Sequence, residues 1–380
     1  MGPPNPASKV ANEAHAKQTG LILKQSPLYE FHREQGARLL SEDEPRPLLT
    51  YGDVPGEYQA AKTAWIALDD TDRGAVHAQG ADAATFLHGL LANEVRNLPV
   101  GAALPNLLLD AKGKVRFVFE LRRLGDDEFH LSAEPGQAAA LLQALDMYLF
   151  SEDVTLKEVT EAHAPITVAG PGAADALAGL ADQALPEEGS LSLEVAGASV
   201  VATECSLATL PAWRLDAGPE GALSLWRALL DAGARPVGRI VWDSLRAEVG
   251  VAQPGEDIDE TVYPQEARLE RAFSLDKGCY IGQEVVAKID TYGGLNKRLC
   301  LLRVDHDEPV ARGTRLHRQD PDSGEWRDLG VATTWAYSFA HDCGVILAFI
   351  KRKHQEPDTQ FRLGDGPAQA SLIELEEDQS

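Results

Sequence analysis

From residue 74 to residue 159 two hydrophobic rhythms alternate along the chain. Residues 74–79 (Gly-Ala-Val-His-Ala-Gln) form a short strand-like run. Residues 80–91 then place Ala83, Phe86, Leu87, Leu90 and Leu91 at helical spacing, with Asp82 in the first turn, where a negative charge suits the helix dipole. Residues 104–110 and 115–121 predict a hairpin around Asp110-Ala-Lys-Gly-Lys114, because Val115, Phe117, Phe119 and Leu121 recur at period two on one face. A helix over 137–150, with Met147 on its apolar side, and a strand over 154–159 complete the unit. Strand, helix, two or three strands, helix, strand is an α+β arrangement of the split βαβ, ferredoxin-like kind.

The pattern then restarts. Residues 166–177 repeat the strand-then-helix entry, and aligning 80–87 with 170–177 gives identical residues at four of eight positions (Gly, Ala, Ala, Leu). Four small or common residues make a weak repeat, which gains weight from the parallel order of the next elements: strands over 191–195, 199–203 and 212–215, then a helix over 220–232. After residue 290 helical spacing stops. Short strand-like runs over 299–304, 314–317, 329–335, 344–350 and 370–375, separated by turn-rich segments, predict a small β-barrel. The resulting division is an extension over 1–25, a first α+β domain over 26–160, a second over 161–290 and a barrel over 291–380.

Composition narrows what such a chain can do. With 44% hydrophobic and 25% charged residues it is a globular protein of several domains. A net charge of −24 excludes a broad surface for nucleic acid or anionic membrane, so an anionic ligand has to enter a local pocket. The longest apolar run, 345–350, is far short of the ~20 residues of a spanning helix. Residues 1–24 lack the apolar core of a signal peptide, and four cysteines without a CxxC pair point to a reducing compartment, the cytoplasm. Direct nucleic-acid and membrane contacts are not expected, and no metal site is expected, since His77, His88, His130 and His341 show no ligand spacing with a cysteine.

One segment carries chemistry: Asp276-Lys-Gly-Cys-Tyr-Ile-Gly-Gln-Glu-Val-Val-Ala-Lys288. Gly278 permits a turn that presents Cys279 at a surface, and Lys277, if near in space, favours the thiolate. The alternative is a buried cysteine at a turn, with Gln283 and Glu284 merely opening a helix. From 266 to 303 seven basic residues face five acidic ones, a local excess of positive charge.

Lys277-Gly-Cys-Tyr-Ile-Gly-Gln-Glu284 with Lys288 resembles the signature of YgfZ-type folate-binding proteins of the aminomethyltransferase (glycine cleavage T-protein) superfamily. Residues 27–39, Tyr51-Gly52, residues 90–95 and residues 243–250 resemble T-protein segments as well. The resemblance implies two related α+β domains and a C-terminal β-barrel in a ring around a channel for tetrahydrofolate. It makes Cys279 the functional thiol, tuned by Lys277 and Gly278. It places Tyr280, Gln283 and Glu284 near the ligand and makes Arg246 and Lys288 candidates for the glutamate tail, with a surface ion pair as the other reading of Arg246.

T-proteins hold an acid beside the folate nitrogen in a Gly-Gly-hydrophobic-hydrophobic-Asp-Asp run. Here Gly113-Lys-Val-Arg-Phe-Val118 puts Phe117 and Val118 at the acid positions. The Gly-Tyr-Thr-Gly-Glu segment is replaced by Thr203-Glu-Cys-Ser-Leu-Ala-Thr209, and Trp242 stands where T-proteins have arginine. The expected function is therefore tetrahydrofolate binding in support of iron–sulfur cluster assembly or repair, with iron–sulfur client proteins that include tRNA-modifying enzymes. The alternative is an aminomethyltransferase or another folate-dependent one-carbon transferase.

Overall fold

The computed structural model describes residues 24–39, 48–185 and 189–375. The expected extension thus lies outside the described residues apart from residues 24 and 25, and the acidic end is described only to residue 375.

The first rhythm folds into a five-stranded antiparallel sheet in the order Ala103–Leu109, Val115–Gly125, Glu128–Ala133, Gly74–Gln79, Thr155–Glu158. Helices Ala83–Leu90 and Ala138–Asp146 cover one face, where Phe86, Leu87, Leu141 and Leu145 meet Phe119, Leu121, Phe129 and Leu131 in one buried cluster. Burying each such side chain contributes about 1.5–3 kcal/mol. The second helix stops at residue 146, earlier than its apolar run suggests. Met147 is 63% exposed and Phe150 85% exposed, so the expected core position of Met147 is corrected to the surface.

The second rhythm repeats the order of elements. Ala164–Ala169, helix Ala173–Ala181, Ser190–Val195, Ala198–Leu207, Leu210–Ala217, helix Pro219–Asp231 and Arg235–Val237 succeed one another as their counterparts do. The aligned glycines behave alike: Gly80 and Gly170 both have positive φ and both press against another segment's backbone, at Asp153 and at Ala64. The sheet differs in one respect. Ile66–Asp69, which precedes the first sheet in the chain, is inserted between Ala164–Ala169 and Arg235–Val237, pairing antiparallel with the former and parallel with the latter.

Lys297–Val304, Cys343–Lys351, Trp326–Ser338, Arg315–Gln319, Gln360–Leu363 and Gln369–Ile373 close into a six-stranded barrel. The unbroken apolar run at 345–350 arises from burial on both faces. Ile346, Ala348 and Ile350 fill the barrel, while Val345, Leu347 and Phe349 meet Leu107, Leu109, Val115 and Tyr280 outside it. That outer cluster joins the barrel to the first hairpin and to the cysteine segment. Among the described residues no helix is long and apolar enough to cross a membrane.

Candidate functional site

Strand alternation decides where the polar residues go. In the first sheet Phe117, Phe119 and Leu121 face the helices, so Glu120 and Arg122 point the other way, as do His130 and Ser132 on the neighbouring strand. In the second sheet Trp213, Leu215 and Ala217 face their helices, which turns Arg214 and Asp216 outward. The two polar faces look at each other across a cleft and pair across it. Arg214 Nη1 lies 2.6 Å from Glu120 Oε1, Arg122 Nη2 lies 3.2 Å from Asp216 Oδ2, and Arg122 Nη1 donates to Thr203 Oγ1 at 2.8 Å.

Not every polar atom in the cleft is satisfied. The buried Nε groups of Arg122 and Arg214 and Nδ1 of His130 have no partner among the described residues, which leaves donors and a ring nitrogen for something else. Burial, assisted by the Arg122 charge, pushes the His130 imidazole down to about 3, so it is neutral at physiological pH. Burial likewise pushes the Cys205 thiol up to about 12, which makes it inert.

The chain passes from one sheet to the other through Asp69-Asp-Thr-Asp-Arg73. Asp69 accepts from His32, 2.8 Å away, and from Ser26 at 2.6 Å. Asp70 accepts from Thr167 Oγ1, and burial raises its pKa. For Asp72, burial and then the negative charges of Asp69 and Asp70 raise the carboxyl to about 7. Arg73 crosses to Ser132 and Glu134, at 3.2 and 3.1 Å. Three acids and a base in five residues between two apolar strands were visible in the sequence as a signal; their convergence with Glu120, Arg122, Arg214 and Asp216 was not.

Helix Arg239–Glu248 ties the second sheet to the barrel. Ser244 Oγ donates to Tyr337 O at 2.7 Å, and Glu248 accepts from Ser338 Oγ at 2.8 Å and from Tyr58 at 2.7 Å. Arg246 is fully buried in this joint. It binds Asp243, Glu256 and Asp257 at 2.8, 2.6 and 2.7 Å and donates to Thr334 at 3.1 Å. The expectation that Arg246 holds a ligand carboxylate is thus corrected, and so is its reading as a surface pair: its guanidinium is consumed by three protein carboxylates inside the fold. Trp242, at the position of the T-protein arginine, donates through Nε1 to Gln253 at 3.4 Å.

Cys279 is exposed. Gly278, at φ +105°, has nothing within 4 Å of where a Cβ would stand, and forms the open turn before the thiol. Lys277 is engaged elsewhere: its Nζ donates to the carbonyls of His88 and Leu91 at 2.6 and 2.5 Å, at the C-terminal end of helix Ala83–Leu90, while His88 Nε2 contacts the Lys277 carbonyl at 2.9 Å. Burial lowers its pKa to about 8. Lys277 therefore clamps the loop onto the first domain. Tyr280 is buried and packs inward, sharing an apolar cluster with Val118, so its ring is not offered for stacking on a ligand. Gln283 opens helix Gln283–Tyr292 half-buried, and Glu284 and Lys288 are exposed on it. Gly282 caps that helix at φ +82° and crosses the hairpin turn so closely that a Cβ would lie 2.5 Å from Asp110 O. The structure holds the segment that carries Lys277, Gly278, Cys279 and Tyr280 against the first domain, through the end of helix Ala83–Leu90 and the apolar cluster around Tyr280, and leaves Arg246 in a separate joint.

Phe117 is buried among the helices and Val118 lies in the cluster beside Tyr280, so neither position offers an acid.

Residues 28–277 match the protein family described as the GCVT N-terminal domain. Two curated relatives match over nearly their whole length. The aminomethyltransferase of Saccharopolyspora erythraea is 28% identical over 348 residues, covering 90% of this chain and 93% of that one. The aminomethyltransferase of Thermus thermophilus is 30% identical over 338 residues, covering 88% and 93%. Among solved structures, the glycine cleavage system aminomethyltransferase T from Bartonella henselae superposes with a TM-score of 0.81 at 22% identity, covering 93% of this chain and 97% of that one, a likeness of fold.

Proposed function

We propose, from the premise that this chain belongs to the GCVT N-terminal domain family, that it binds tetrahydrofolate in the cleft between its two sheets and serves there as a one-carbon transferase of the aminomethyltransferase kind. Similarity to relatives bearing that name favours this alternative over the iron–sulfur role that the cysteine signature suggests. One observation carries the reading: the inner faces of two apolar-backed sheets meet in a polar cleft where buried Nε donors of Arg122 and Arg214 lack partners among the described residues. Guanidiniums suit the carboxylates of a glutamate tail, and carboxylates such as Glu120 suit the N–H edge of a pterin. Tetrahydrofolate, when bound, supplies the nitrogen that takes up the one-carbon unit.

The proton chemistry has to differ from that of the T-protein pattern. Phe117 and Val118 hold no proton, whereas Asp72, at about 7, is a carboxyl able to hold or release one near neutrality, beside Asp70, which burial raises above its ordinary value. Calorimetry with tetrahydrofolate should give micromolar or tighter binding. The double variant Glu120→Gln with Arg214→Gln, which removes charge without stranding either partner, should weaken it at least tenfold. Incubation with an aminomethyl-lipoyl carrier protein should form methylenetetrahydrofolate. Binding without turnover removes the transferase reading, and no binding removes the folate site itself.

A second reading rests on a specific observation: an exposed Cys279 sits on a loop clamped beside acid positions that have become Phe117 and Val118. In that reading the protein binds tetrahydrofolate and its thiol supports iron–sulfur client proteins in the cytoplasm, including tRNA-modifying enzymes. Cys279→Ala should then lower iron–sulfur enzyme activities in cells lacking the native protein; unchanged activities exclude the role.

A further inference from the structure

We propose that His130, His163 and Asp216 form a binding site for one divalent transition-metal ion that bridges the two sheets. The ligand atoms of the three side chains lie within 4.8 Å of one another. Metal–ligand bonds of about 2.0–2.2 Å in a tetrahedral shell place such atoms roughly 3–4 Å apart, so only a small closure is required. The two imidazole rings lie 4.6 Å apart, inclined at 54°. His163 Nδ1 is 2.8 and 3.0 Å from the two oxygens of Asp216.

The second observation is the state of His130. Only 5% exposed, it lines the cleft and leaves Nδ1 without a partner among the described residues. A buried ring nitrogen left unpaired is costly, and a metal bond satisfies it. His163 is half-buried at the cleft, which leaves a route for an ion to enter. Two imidazoles and one carboxylate form a borderline donor set that suits zinc, iron, cobalt or nickel and disfavours magnesium and calcium. Arg122, 3.2 Å from Asp216 Oδ2, opposes a dication; its second bond to Thr203 keeps it on one side of the carboxylate.

The ligands span the cleft. His130 comes from Glu128–Ala133 of the first sheet, Asp216 from Leu210–Ala217 of the second, and His163 from the residue before Ala164–Ala169. Positions 130, 163 and 216 share no local spacing, so no sequence motif announces the site. A bound ion would staple the two domains whether or not folate is present.

The test uses the full chain, stripped with a chelator, with Co(II) and Zn(II) as probes. One equivalent of Co(II) should develop d–d bands without a thiolate charge-transfer band, and Zn(II) should raise the melting temperature. His163→Gln and Asp216→Asn should each weaken Zn(II) binding by at least ~100-fold, the upper end of what even outer-shell changes cost. No stoichiometric binding, binding that survives both substitutions, or a thiolate band overturns the site. Should the variants fold poorly, protection of the part-exposed His163 by Zn(II) against diethylpyrocarbonate in the wild-type chain reads the same contact; an unprotected His163 overturns it.

Discussion

At the scale of single residues, Asp72 shows what a crowd of acids does. An unfolded aspartate titrates near 3.8, and this one near 7. Between those values the folded state holds a proton that the unfolded state has lost, so stability falls as pH rises from about 4 and the full cost is present above 7. Asp72→Asn removes that cost. Urea denaturation should show the variant more stable than wild type at pH 8 by about 1–2 kcal/mol, a figure reduced for the group's partial exposure, and no different at pH 4. Thiol labelling of the native protein should mark Cys279 well before Cys300, which is buried with its pKa pushed up to about 11. The cysteine motif was legible in the sequence because it is contiguous. The true partners of Arg246 were not, since whether a guanidinium meets a ligand or three protein carboxylates depends on which joint of the fold it enters.

At the scale of elements, local pattern located most strands and helices that bury one face from residue 74 onward, but placed none over Val54–Thr63, Ile66–Asp69 or Arg235–Val237. It passed over Glu128–Ala133, whose apolar face is interleaved with polar cleft residues, and Gln360–Leu363, four residues between turns. The alternation that identified the first hairpin also held the cleft: Glu120 and Arg122 are the positions between Phe119, Leu121 and their neighbours. What it could not show is that a second sheet answers them. The crossing of helix Gln283–Tyr292 over the hairpin turn gives a clean test. Gly282→Ala would force positive φ on alanine and drive its Cβ into Asp110 O, so a loss of about 2 kcal/mol or more is expected in chemical denaturation. Arg246→Met leaves Asp257 buried without its cation, and should cost about 3–5 kcal/mol by the same measurement.

At the scale of the molecule, the two related sheets and the barrel were readable from the restart of one rhythm and the end of helical spacing, whereas the electrostatic seam between the sheets needed three dimensions. Glu120→Leu should destabilise by about 3–5 kcal/mol because it strands the Arg214 guanidinium, and adding Arg214→Leu should restore most of the loss. The inserted strand matters before the fold is finished. Ile66–Asp69 leaves the ribosome before any strand of the first sheet, yet its pairing partners are Ala164–Ala169 and Arg235–Val237. During synthesis the first sheet has all its strands once residue 158 is out, while Trp65-Ile-Ala-Leu68 still waits as an unpaired apolar segment for strands more distant in the chain. The nascent protein thus carries an apolar strand without its partners until residue 169 has emerged, and without its second neighbour until residue 237.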